Sequence, residues 1–194
     1  MNNTDTLDII NIGHPTLRKV ATALTVEQIK SDEVQLFIDQ LIATKRKANG
    51  AGIAANQVDN TWRIYVVEAG SNPRYPYKPD YPLTVMVNPQ VTFLTDERFE
   101  NYEGCLSIPG LRGVVSRCPV IRVDGLNRHG EVVSFDVRGI SAGTFQHEQD
   151  HLEGVLFTDK LIDSKTLCTW EEFASRYEDQ FRESVVQIEQ RYNS

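Results

Sequence analysis

The run His147-Glu148-Gln149-Asp150-His151 constrains this chain more than any other feature, because it calls for a helix with a defined chemical face. Residues four apart stack on one side of an α-helix. The two imidazoles can therefore bind one metal ion, and Glu148 beside them can take the proton of an attacking water. Such a helix lacks a third ligand and a substrate-facing loop, and two other segments offer them. Glu103-Gly104-Cys105-Leu106-Ser107 presents a cysteine whose thiolate completes a Cys-His-His set with water in the fourth position. Gly50-Ala51-Gly52-Ile53-Ala54-Ala55-Asn56-Gln57 is a small-residue loop that a ligand can approach closely. It has neither the Gly-Lys-Ser/Thr end nor the preceding strand of a nucleotide-phosphate loop.

The periodicity around these segments predicts an α+β fold, with antiparallel strands around a central metal-binding helix and a long C-terminal helix. Val34, Phe37, Ile38, Leu41 and Ile42 fall at helical spacing, and Asn49-Gly50 supplies the stop. Residues 62–67 read as a strand, followed by a Pro- and Tyr-rich loop over 70–82 that is either a rim of the cleft or a surface excursion. Short strands are predicted at 83–88, 90–94, 98–102, 113–116, 120–124 and 131–137, with a hairpin turn at 127–130. The metal helix is expected over 141–152 with Ser141 as its N-cap. A final helix is expected over 164–191, its apolar stripe formed by Phe173, Tyr177, Phe181, Val185 and Ile188. The whole chain, 1–194, is expected to be a single domain.

Taken together and in this order, the three motifs resemble those of the peptide deformylase family. The resemblance extends from Gly13-His14-Pro15-Thr16-Leu17-Arg18 to Gly154-Val155-Leu156-Phe157. It implies a metal-dependent hydrolase that removes the N-formyl group from the N-terminal formyl-methionine of newly made proteins and releases formate. It further implies one divalent metal ion on Cys105, His147 and His151, with Fe²⁺ the expected ion and Zn²⁺, Ni²⁺ or Co²⁺ the alternatives. Glu148 is then the acid–base residue, and the Gln57 amide and the Leu106 backbone N–H stabilise the oxyanion. Gly50, Gly52 and Gly104 are assigned to substrate binding, the first two by letting the peptide lie alongside the loop as an added strand.

Other residues carry less specific expectations. Glu103 is read as a support for the Cys105 loop, paired with an arginine such as Arg117. Asp150 either holds the outer nitrogen of a ligand histidine or caps a turn. Gly143 and Thr144 share the face of His147 and either leave room for a methionine side chain or pack the helix. Cys118 and Cys168 are expected to be plain thiols, His129 a solvated turn residue and His14 a loop residue with no second ligand to pair with.

Two other functions use the same helix. A metalloprotease would need a downstream third ligand, but Glu153 follows too closely and no histidine lies beyond His151. A catalytically inactive metal-binding relative would have no use for Glu148 or Gln57.

Charge and composition narrow the partners. A formal net charge of −7 argues against free nucleic acid or an anionic membrane. No apolar run approaches the ~20 residues that cross a bilayer. Three cysteines without framework spacing, and no visible secretory or Arg-rich targeting segment, lead us to expect a cytoplasmic protein. Nascent formyl-methionyl polypeptides are the expected partners, with a transient ribosome contact left open. A basic C-terminal helix would favour that contact, yet residues 165–194 hold six acidic and four basic side chains.

Overall fold

The computed structural model describes residues 5–70 and 77–193. Its helices are α1 (Val26–Ile29), α2 (Asp32–Lys47), α3 (Gly139–Leu152), α4 (Trp170–Arg176) and α5 (Glu178–Tyr192). Its strands are β1 (Gly52–Ala54), β2 (Ile64–Ala69), β3 (Tyr81–Phe93), β4 (Phe99–Cys105), β5 (Ile108–Arg117), β6 (Val120–Leu126), β7 (Val132–Arg138) and β8 (Cys168–Thr169). Among the described residues these form two antiparallel sheets, one ordered β1-β2-β3-β6-β7 and the other β4-β5-β8. This is the α+β class expected from the sequence.

Helix α3 joins the two sheets. Phe145 on one face packs edge-on against Tyr65, Tyr81 and Phe135 of the five-stranded sheet, while His147 and Asp150 reach Glu103 of β4 and Arg117 of β5. Apolar burial thus fixes the helix on one side, and charged contacts fix its rotation on the other.

Local chemistry accounts for the elements that deliver the glycine loop. Ser31 caps α2 by accepting from the Val34 N–H at 3.3 Å, with Asp32 and Glu33 in the first turn and Lys45, Arg46 and Lys47 in the last, as the helix dipole favours. The stop is Asn49, in the left-handed region at φ 52°. The chain beyond it, expected as loop, contains the short strand β1.

Several expected boundaries move. The strands at 83–88 and 90–94 are one strand, β3, bent where its register shifts between Val87 and Gln90. The Asn88-Pro89 break is a bulge, because Asn88 adopts φ 52° and its amide bonds both the N–H and C=O of Leu24, at 2.9 and 2.8 Å. Helix α3 begins at Gly139, so Ser141 is not its N-cap. The cap comes from α5, whose Glu189 Oε1 accepts from the Ile140 N–H at 2.7 Å. The helix expected to begin at 164 is likewise divided. Residues 164–166 form a 3₁₀ turn, β8 pairs with β5, and Thr169 caps α4. Tyr177 (φ −122°) then breaks the helix before α5.

The C-terminal helices bury Phe173, Phe181 and Val185 against the three-stranded sheet, with Tyr102 of β4 set among Phe173, Tyr177 and Phe181. Phe181→Ala should therefore cost about 3–5 kcal/mol of folding stability. Urea unfolding would measure it, and a loss below 1 kcal/mol would show that α5 only rests on the surface.

Candidate metal centre

The hairpin of β4 and β5 ends on Cys105, which pairs with Ile108 across the two-residue turn Leu106-Ser107. That turn sets the thiol against α3. One ligand atom each from Cys105, His147 and His151 lies within 4.8 Å of the others, and Cys105 Sγ is 3.3 Å from His151 Nε2. Two such ligands on one tetrahedral ion of zinc-like bond lengths lie about 3.5 Å apart, so the donor set and spacing fit a divalent metal. The structure thus brings together the three ligands expected from the sequence.

Each imidazole is oriented by its surroundings. His147 Nδ1 is 2.8 Å from Glu103 Oε2, and since a carboxylate only accepts, Nδ1 carries the proton and Nε2 is left to bind. Glu103 is gripped by Arg117, whose Nε and Nη2 each donate at 2.8 Å, and it accepts from Asn101 Nδ2 at 3.0 Å. Burial disfavours the Glu103 charge, but Arg117 and then His147 outweigh it and hold the carboxyl well below the usual carboxylate range. Burial and the neighbouring His147 hold the pKa of His151 well below the ordinary histidine value, which keeps the ring neutral as a ligand must be. Asn56 Nδ2 donates to the His151 carbonyl.

Asp150 is not a histidine partner. It accepts from Arg117 Nη1 and Lys160 Nζ, both at 2.6 Å, because it stands three residues after His147 and meets the guanidinium that already holds Glu103. The expected Glu103–Arg117 pair is present, but the carboxylate that supports a ligand histidine is Glu103.

Glu148 is buried at 3% exposure, and burial pushes its pKa up to about 7. A carboxylate poised near neutrality suits acid–base work. Its Oε2 has no hydrogen-bond partner among the described residues, which leaves that oxygen able to take a proton. Its other oxygen explains Gly52: a Cβ there would lie 2.2 Å from Glu148 Oε1. Gly50 is equally crowded, since its Cβ would meet Leu106 Cδ1 at 2.8 Å. Both glycines line the cavity in front of the ligands, as does Gly104. Gly52 begins β1, which stands at the edge of the five-stranded sheet.

Gln57 is held by Ala54, whose N–H donates to its Oε1 at 2.9 Å. Its Nε2 therefore turns toward Cys105 Sγ at 3.4 Å and Ser107 Oγ at 3.2 Å. Leu106, next after Cys105, lines the same cavity, as do Gly143 and Thr144. Gly143 also packs, its Cβ position lying 3.0 Å from Asn101 Nδ2. Ser107 and Asn56 lie inside the motifs read from the sequence, but nothing local marks them out: their partners, Gln57 and the His151 carbonyl, are brought to them by the fold. Lys78 also lines the cavity and comes from the 70–82 loop, whose rim reading its position favours; residues 71–76 of that loop lie outside the described residues. His129 is exposed, Cys118 buried and Cys168 partly buried. His14 caps a short 3₁₀ turn.

The three ligands, the carboxylate and the glycine edge converge on one cavity, and comparison with known proteins decides the family. The sequence model described as polypeptide deformylase matches residues 6–167. The chain belongs to the polypeptide deformylase family. It is similar to peptide deformylase 2 of a Nostoc species, 43% identical over 171 residues and covering 88% of this chain and 94% of the relative. Peptide deformylase 1 of Prochlorococcus marinus is 40% identical, with 81% of each chain covered. Among solved structures, the class I type b peptide deformylase of Acinetobacter baumannii with Met-Ala-Ser bound superposes with a TM-score of 0.79 at 35% identity. It covers 81% of this chain and 99% of that one.

The protein is accordingly a hydrolase that removes the N-formyl group from nascent formyl-methionyl proteins. Its family is metal-dependent, and its Cys-His-His site can hold a metal. Neither the metalloprotease nor the inactive relative is favoured. Among the described residues no helix is long and apolar enough to cross a membrane.

Gly52→Ala should leave the ligands in place and displace Glu148, lowering kcat by at least ~10²-fold, the lower end of an acid–base contribution. Unchanged kcat at equal metal content would show that Glu148 tolerates the displacement.

Proposed function

We propose that Cys105, His147 and His151 hold the metal and that Glu148, Gln57 and Leu106 carry the chemistry of deformylation. The observation that carries this reading is the convergence of three ligand atoms within 4.8 Å on a cavity that also presents Glu148 and Gln57. A metal held by Cys105, His147 and His151 would supply Lewis acidity, making hydroxide available near neutral pH. Glu148 takes the proton of the attacking water on its unpartnered oxygen and delivers it to the departing amine. Gln57 Nε2 and the Leu106 N–H stabilise the charge that develops on the formyl oxygen. Turning Nε2 to that oxygen means exchanging its contacts with Cys105 and Ser107, while Ala54 keeps hold of the other end of the amide. Gly50, Gly52 and Gly104 leave the cavity open along β1, where the peptide adds as a strand. The Met-Ala-Ser bound to the Acinetobacter relative supports a tripeptide of that kind as the probe.

Fe²⁺ is the ion we propose, on the family resemblance, since two imidazoles and a thiolate equally suit Zn²⁺, Ni²⁺ or Co²⁺. We place the reaction in the cytoplasm and in one domain spanning 1–194. The ribosome contact, if made, is brief and not electrostatic through α4 and α5. Their arginines are already paired, Arg176 with Glu172, Arg182 with Glu178 and Arg191 with Glu97, so little positive potential remains for RNA phosphates.

Formate release from formyl-Met-Ala-Ser under anaerobic conditions, with bound metal quantified on the same sample, tests the assignment. Glu148→Gln should keep its metal and lose about 10²–10⁴-fold in kcat, whereas Cys105→Ala should lose metal first. Metal and activity falling together in Glu148→Gln would make that residue a ligand.

A further inference from the structure

The connection between β2 and β3 brings a lysine into the catalytic cavity. Lys78 is half-buried, and its Nζ donates to Thr144 Oγ1 at 2.8 Å. Thr144 precedes His147 by three residues, so its hydroxyl is on the same side of α3 as that ligand. The lysine is held in place from outside. The hydroxyl of neighbouring Tyr77 accepts from Arg112 Nη1 at 2.9 Å, and its ring packs edge-on against Phe181 of α5 at 5.1 Å. Arg112, fully buried, lies 4.1 Å from the Trp170 ring and 4.5 Å from the Phe173 ring. Burial lowers the pKa of Lys78 to about 8, so at neutral pH its ammonium is still mainly charged and donating.

Lys78 and Thr144 line the same cavity, and the ammonium sits on the Thr144 hydroxyl, so a substrate side chain that enters beside Thr144 comes up against the lysine. The Asn101 amide and the Thr144 hydroxyl make the adjoining wall polar as well. A thioether sulfur is a weak acceptor, so methionine returns little to these donors. A sulfoxide oxygen at the same point of the same side chain is a strong one, and oxidation changes the methionine in just that way.

We propose that Lys78 is a specificity-determining residue, its ammonium donating to the sulfoxide oxygen, so that the enzyme deformylates chains beginning with N-formyl-methionine sulfoxide as well as N-formyl-methionine. The proposal rests on the cavity being the deformylation site. The hydrolysed bond is the same in both substrates, and the sulfoxide is bound without being reduced. A hydrogen bond to a charged donor contributes about 10- to 100-fold in such discrimination.

The test compares kcat/KM for formate release from formyl-Met-Ala-Ser and from its sulfoxide, using metal-loaded wild type, Lys78→Met and Lys78→Arg. Only the sulfoxide-to-thioether ratio within each protein is read, so a general loss of activity in a variant does not enter. The wild-type ratio should lie within about tenfold of one, fall about 10- to 100-fold in Lys78→Met and be largely kept in Lys78→Arg. A wild type that rejects the sulfoxide more than 100-fold, or a ratio unmoved in Lys78→Met, would overturn the proposal. Formate from neither peptide would instead overturn the assignment of the site, and this proposal with it.

Discussion

The Glu103 carboxylate, held between Arg117 and His147, is the interaction on which the rest of the site depends. Glu103 lies on β4, Arg117 on β5 and His147 on α3, so one buried group ties the cysteine hairpin to the histidine helix. Arg117 extends the tie to Asp150 on the same helix. Burying three charges is costly unless each is paired and hydrogen-bonded. Here the guanidinium donates to both carboxylates and Asn101 donates to Glu103. Removing one member would strand the others, at a cost of roughly 3–5 kcal/mol. The same contacts fix the His147 tautomer, so stability and ligand geometry come from one arrangement.

The opposite side of the cavity is shaped by steric exclusion. Gly52 exists where any side chain would strike Glu148, and the bend in β3 lets one strand serve β2 and β6 in turn. Beyond residue 167, where the family match ends, α4 and α5 add a wall. They pack on Tyr102 and Tyr77 and cap the metal helix through Glu189. A change in how α5 packs would therefore be felt at both the cavity in front of the candidate ligands and the start of α3.

The shared placement of His147, Glu148 and His151 was legible in the sequence because helix periodicity places residues i and i+4 together regardless of the rest of the fold, whereas Cys105 was picked out by its own motif and brought to them by the β4–β5 hairpin. Gln57 and Leu106 entered through the family resemblance alone. Lys78 and the Glu189 cap carry no local signal, since each acts across a long sequence separation on a partner that only tertiary structure supplies. Asp150, expected either to hold a ligand histidine or to cap a turn, serves Arg117 and Lys160 instead. Sequence spacing shows which face a residue occupies, but not which of two carboxylates on neighbouring elements reaches the ring first. The break at Tyr177 was hidden because the apolar stripe continues through it. A helix-period pattern does not show a change of axis when the residue at the break is itself apolar enough to be packed.

If Glu103 orients His147, then Glu103→Gln, which keeps the shape and removes the charge, should weaken the metal without unfolding the chain. Anaerobic metal titration of the two proteins, with circular dichroism on the same samples, measures this most directly. The account predicts a loss of about 10- to 100-fold in metal affinity, the usual cost of an outer partner of a ligand histidine. Equal affinity in the two proteins would contradict it.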